Sequence, residues 1–90
     1  MEGIMTRWEY CAVSGISTGG HILTHYPYLI RFPPDGPEAT HLKGTRDRKE
    51  RDVVAQTIAE LGENGWELVS AVYAGGDFGT YSLWFKRPKQ

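Results

Sequence analysis

With a single cysteine, Cys11, in 90 residues, the chain cannot close a disulfide within itself. A single cysteine also excludes the cysteine-rich kind of structural zinc site, which draws on several thiolates. Long hydrophobic runs are absent too. The wholly apolar stretches last only a few residues, far short of the ~20 that a membrane-crossing helix needs. Neither sign of charge dominates: the formal net charge is −1, so bulk attraction to a polyanion is excluded. The opening residues Met1-Glu2-Gly3-Ile4-Met5-Thr6 have neither the basic start nor the apolar run of an export leader. Together with the unpaired cysteine, this gives the expectation of a cytoplasmic protein with no membrane partner. No internal repeat or low-complexity tract is present.

What remains has the composition of a globular chain, with 40% hydrophobic and 23% charged residues. Its length fits one domain over residues 1–90, with a flexible lead at 1–6 and a basic tail at 87–90. A chain of this size buries only about 60–65% of its unfolded surface. Its stability must therefore come from close packing or from a partner subunit.

Hydrophobic periodicity organises the chain as an α+β domain of order β-β-α-β-β, an antiparallel sheet of three to four strands with one amphipathic helix on one face. Arg7 to Val13 is aromatic and β-branched, a strand in which Cys11 is buried. Ser14 to Gly20 has the composition of a flexible linker. His21 to Phe32 is a second strand, made irregular or placed at an edge by Pro27. Pro33-Pro34-Asp35-Gly36-Pro37 is a rigid turn. Val53, Val54, Thr57, Ile58 and Leu61 form a helical stripe. Asp47 and Glu50 have capping-box spacing in front of it, Asp47 and Arg51 a favourable ion-pair spacing. Gln56, Glu60 and Glu63 fall on the wet side, and Gly62 and Asn64-Gly65 stop the helix. A strand from Trp66 to Tyr73 alternates Trp66, Leu68, Ser70 and Val72 with Glu67, Val69, Ala71 and Tyr73. The last strand, Thr80 to Lys86, sets Tyr81, Leu83 and Phe85 against Ser82 and Trp84.

Three groups of residues have the types that chemistry uses. His21 and His25 are four apart, which on a helix would make a metal pair. In a strand their α-carbons would be about 13 Å apart, so a site built with His41 and Asp77 or Cys11 is not expected, nor is any other bound metal. Lys43, Arg46, Arg48, Lys49 and Arg51 are basic, but with Asp47, Glu50 and Asp52 between them the net charge over 43–52 is only +2. A solvated helix face explains this better than a nucleic-acid face. Gly75-Gly76-Asp77-Phe78-Gly79 lacks the phosphate-loop pattern and falls between strands rather than before a helix. It reads either as a hairpin turn or as a mobile loop beside a pocket, with Tyr73, Asp77 and Tyr81 as polar ligand contacts and Phe78 as a lid. There is no Ser-His-Asp arrangement, no paired acids and no cofactor fingerprint, so neither catalytic residues nor a cofactor are expected.

Trp8-Glu9-Tyr10, Leu61-Gly62-Glu63-Asn64-Gly65-Trp66-Glu67-Leu68-Val69-Ser70 and Tyr81-Ser82-Leu83-Trp84-Phe85-Lys86-Arg87-Pro88 together resemble a family of short, mostly prokaryotic domains, the domain of unknown function 4177. Its members read YEY, then a helix, then LG-x-EGWELV, then FKR. The match covers roughly residues 7–13 and 50–88, and Gly65 to Val69 is its most specific part. Asn64 stands where the family has a small or acidic residue, and the 14–45 segment is longer than in its shortest members. The resemblance implies a β-α-β-β core, and the family has no established activity to carry over. In physical terms, Gly65 permits the turn after the helix while Trp66 and Leu68 anchor the following strand.

Both faces of the last two strands are apolar, and one helix covers only one of them. The expectation is a non-catalytic, self-associating binding domain, a homodimer joined through the sheet face that includes Trp84, with a small molecule or a protein as partner. The alternatives are a small enzyme with a Tyr/His/Asp site at a subunit interface, and a nucleic-acid accessory module. A flap formed by Ile22, Leu23, Tyr28, Leu29 and Ile30 could instead seal the open face within one chain.

Overall fold

The computed structural model describes residues 5–17, 27–44, 49–74 and 80–89. These form five strands and one helix: β1 (Trp8–Ser17), β2 (Tyr28–Arg31), β3 (Glu38–His41), α1 (Glu50–Glu63), β4 (Glu67–Ala74) and β5 (Thr80–Pro88). The sheet is antiparallel throughout in the order β3-β2-β1-β5-β4. The chain is thus an α+β protein, of order β-β-β-α-β-β. The strand absent from the expected order is β3. All four of its residues are exposed, so it carries no apolar alternation to reveal it.

Helix α1 lies on one face of the sheet. Cys11 and Val13 of β1 and Phe85 of β5 pack with Val54 and Leu61 of the helix, and with Leu42 and Trp66 at its two flanks. Val53, Ile58, Leu29, Ile16 and Leu83 extend this cluster. The helical stripe therefore buries as its spacing predicts. Its one polar member, Thr57, satisfies its hydroxyl by donating to the Val53 carbonyl at 2.8 Å. Leu42 joins the core just after β3, where its amide donates to the Pro27 carbonyl at 2.8 Å.

The end of the helix explains the Leu-x-x-x-Gly-Trp spacing. The Trp66 amide donates to the Leu61 carbonyl at 2.9 Å, and the Gly65 amide to the Gly62 carbonyl at 3.0 Å. Gly65 has φ +87°. Both bonds and the left-handed residue belong to a Schellman cap, whose accompanying apolar contact links the residues at its two ends. Here those residues are Leu61 and Trp66, both buried in the core. A side chain at position 65 would strain the cap. At the other end the cap is Lys49, with no side-chain hydrogen bond, and Asp47 of the expected capping box lies outside the described residues.

Several boundaries differ from expectation, for identifiable reasons. β1 does not stop at Val13. A bulge between Val13 and Ile16, with Gly15 at φ +77°, carries the strand on to Ser17, so the first part of the expected linker is strand. Pro27 precedes β2 rather than interrupting it, and residues 21–26 lie outside the described ones. The 33–37 turn is present, closed by the Gly36 amide on the Pro33 carbonyl at 3.0 Å. β5 runs on through Arg87 and Pro88, which pair with Glu9 and Trp8. Those two residues are therefore not tail.

The largest correction concerns the faces of β4. A register shift between Leu68 and Ser70 leaves Val69 as an extra residue, and past a bulge the alternation of faces inverts. Leu68, Ala71 and Tyr73 lie opposite Phe85, Leu83 and Tyr81, on the helix side. Ser70 and Val72 lie opposite Trp84 and Ser82, on the outer side.

Burial pushes the Cys11 thiol up to about 11, with the charges of Arg31 and Arg87 pulling weakly the other way. The thiol is neutral and structural. The folded chain keeps its proton where the unfolded chain, titrating near 9.0, releases it. The thiol's contribution to stability is thus complete below pH ~9 and is lost as pH rises towards ~11. The fall in urea midpoint between about pH 8 and about pH 10.5 should be smaller in Cys11→Ala than in the parent, whereas equal falls would mean the thiol does not hold its proton. Trp66→Ala should lower stability by about 3–5 kcal/mol, as large aromatic truncations in cores do. An unchanged denaturant midpoint would remove Trp66 from the core.

Candidate functional site

Of the four residues expected to contact a ligand, Tyr73 and Tyr81 are brought together. They oppose each other on β4 and β5, with ring centroids 4.9 Å apart and planes tilted by 49°. Asp77 and Phe78 lie outside the described residues, as does the rest of the 75–79 loop. Tyr81 also borders an apolar cleft of about 390 Å³ between helix and sheet, lined by Ile16, Pro27, Val54, Ile58 and Leu83 among others.

The histidine arrangement considered for a metal does not assemble from the residues described. His41 pairs with Tyr28 and lies 6.1 Å from its ring, on the outer face. Cys11 is on the helix face, with β2 between them. His21, His25 and Asp77 lie outside the described residues. Among the described residues, no three His, Cys, Asp or Glu side chains are grouped to hold a metal ion. In the basic cluster, Lys43, Lys49 and Arg51 are exposed, and Arg46 and Arg48 are not among the residues described.

A side chain that sequence reasoning assigned to a tail joins three elements of the fold. Arg87, on β5, donates from Nε to Glu9 Oε1 of β1 at 2.6 Å. A second nitrogen donates to the Asn64 carbonyl at the helix cap, at 2.9 Å. Its guanidinium lies 4.4 Å from the Trp66 ring centroid. A planar, permanently charged fork suits this triple task, and a lysine could not perform it in the same way. Beside it, a cleft of about 280 Å³ opens where β2 leaves β1. Cys11–Arg31 is the last pair between those strands, and Pro33 and Pro34, which have no N–H to donate, follow. Glu9, Tyr10, Phe32 and Trp66 line that cleft.

The second feature is the outer face. Phe32 stacks on Trp84 with centroids 5.6 Å apart and planes within 12°. The pair spans β1 above Ala12, which is fully buried although no helix among the described residues covers that side. Trp84 is accordingly half-buried rather than open, and the 14–45 segment supplies part of its cover. The cover is itself apolar and wet: Phe32 is 44% exposed, Tyr10 47% and Val72 50%. Nearby, Ser14 and Ser82 join their hydroxyls at 2.9 Å, and the Lys86 ammonium sits 4.1 Å over the Trp8 ring. Period two from Ala12 already places Tyr10 on this face. The position of Phe32 depended on knowing where β2 ends.

The chain matches no protein-family model, no curated protein and no solved structure.

Arg87→Met keeps an aliphatic stem over Trp66 but removes the charge and both hydrogen bonds. It should lower stability by about 1–2 kcal/mol, measured by urea denaturation. A midpoint equal to that of the parent would show that Arg87 merely rests on the surface.

Proposed function

We propose that the chain is a non-catalytic domain that self-associates through the outer face of its sheet and holds a small molecule or protein partner in that assembled form. The observation carrying this reading is the outer face itself. Tyr10, Phe32 and Val72 are each about half exposed around Trp84, while α1 covers the opposite side. Apolar surface taken out of water contributes roughly 25 cal/mol per Å², and closed two-fold pairing is the commonest way for a chain to cover such a surface.

The tyrosine pair Tyr73 and Tyr81, with Asp77 and Phe78 of the following loop, is our candidate for ligand contact. Its support is the ring pair at the end of the sheet and the apolar cleft that Tyr81 borders. We also place the chain with the domain of unknown function 4177. In favour of this, the quoted motifs supply Glu9, Trp66 and Arg87, which meet in space. We place it in the cytoplasm on its single buried thiol. No helix among the described residues is long and apolar enough to cross a membrane.

Sedimentation equilibrium at micromolar concentration should give a mass above that of one chain, and Trp84→Glu should halve it, because a buried unpaired charge is costly. Val72→Glu, at a more exposed position of the same face, should act likewise if Trp84→Glu does not fold. A mass of one chain at every concentration would sink the proposal and leave Phe32 as the complete cover of Trp84.

A further inference from the structure

We propose that the free edge of β4 pairs antiparallel with β4 of another copy of this chain, continuing the sheet across two chains. The contact is separate from the outer-face contact proposed above and joins two face-packed pairs. It rests on the contrast between the two edges of the sheet. Edge strands in natural proteins are blunted by shortness, charge, proline or cover, because their unpaired N–H and C=O groups are a template for another strand. β3 is blunted: it has four residues, all exposed, and includes Glu38 and His41. β4 has eight residues, Glu-Leu-Val-Ser-Ala-Val-Tyr-Ala, with Glu67 its one charge and no proline. Among the described residues, no strand lies on its outer side.

The pattern of exposure identifies the occupant. Leu68 is 52% exposed, Val69 46%, Val72 50% and Tyr73 50%. Leu68 and Tyr73 lie on the helix side, Val72 on the outer side, and Val69 at the bulge. A helix or loop laid on the sheet would cover one side alone. A strand arriving edge-on covers flanking side chains of both sides at once and also takes up the backbone groups. Tyr73 already touches Tyr81, so the new strand adds to that contact rather than supplying one.

That strand is β4 itself because residues 70–72 are self-complementary about Ala71. A two-fold axis there sets Ser70 against Val72, which share the outer side, as directly opposed residues must. The bulge at Val69 ends the side-matched pairing at that point, and the two Glu67 carboxylates lie at opposite ends of the paired strands, so no like charges oppose. Once the two β4 edges are joined, the remaining edges are the short, charged β3 strands. Growth therefore stops at a closed assembly rather than a filament. Combined with face-to-face packing, the result is four chains in two layers.

Ala71 is exposed and on the helix side, away from the outer face, so it separates the two contacts. Ala71→Lys brings two like charges together at the axis and should halve the mass seen by sedimentation equilibrium, whereas Ala71→Gln, similar in reach but neutral, should halve it far less. Trp84→Glu should halve the mass independently, and the combined variant should be a single chain. Circular dichroism shows whether each variant is folded; if Ala71→Lys is not, amide hydrogen exchange on the parent chain decides. The outward-facing amides of β4 should gain protection as concentration rises, while those of β3 stay unprotected. An assembly in which β4 amides exchange as fast as those of β3, or in which a folded Ala71→Lys keeps the full mass, would overturn the edge contact while leaving the outer-face contact standing. A single-chain mass for the parent would overturn both.

Discussion

Arg87 is where the chain is tied together. One guanidinium engages Glu9 near the start of the central strand, the Asn64 carbonyl at the helix cap and the face of Trp66 just after it. Only the cation over an indole is common enough to be expected by chance, and alone it is worth about 0.5–1 kcal/mol. Converging on one side chain, the three contacts fix where the helix stops relative to β1 and β5. The Schellman cap then aims Trp66 into the core beside Leu61, and β4 starts in register against β5. The helix-to-strand corner and both long central strands thus share a single anchor.

From that anchor follows the asymmetry of the molecule. The cap and Trp66 hold α1 against the Cys11, Val13 and Phe85 side of the sheet. One helix of fourteen residues cannot also reach the other side. There the described cover is local, with Phe32 over Trp84 and the pair over Ala12. Among the described residues, five strands with one helix leave both an outer face and a long edge exposed, and each is apolar. The self-association we propose answers this shortage of covering elements among the described residues.

The sequence showed the parts that obey a simple period. The Val53–Leu61 stripe, the buried Cys11, the burial of Trp66 and the glycine stop at Gly65 were all legible, because each depends on nearest neighbours along the chain. β3 was not legible, since an exposed edge of four polar or small residues has no buried face to mark it. The faces of β4 were misassigned for a different reason. A single extra residue at Val69 inverts every later side chain, and no residue type there announces it. In β1 the signal existed, because Gly15 between Ser14 and Ile16 is what a glycine-type bulge requires, but a serine- and glycine-rich stretch reads equally as a linker. Of the candidate site, the Tyr73–Tyr81 pair was visible in strand alternation on β5 together with the loop that follows β4. The Glu9–Arg87 contact was not, because 78 residues separate its partners and only the antiparallel pairing of β1 with β5 brings them together.

The helix-to-strand corner depends most on Arg87 acting as a joint rather than as a surface cation. A double-mutant cycle in urea denaturation, with Glu9→Gln, Arg87→Met and the pair of substitutions, measures this directly. The two side chains are about one-third exposed, so water screens their attraction in part. A coupling of about 1 kcal/mol is nonetheless expected, since the contact is hydrogen-bonded and held by two further partners. Strictly additive losses would mean that the motifs at the two ends of the chain are only neighbours, and that something other than Arg87 sets the helix-to-strand corner.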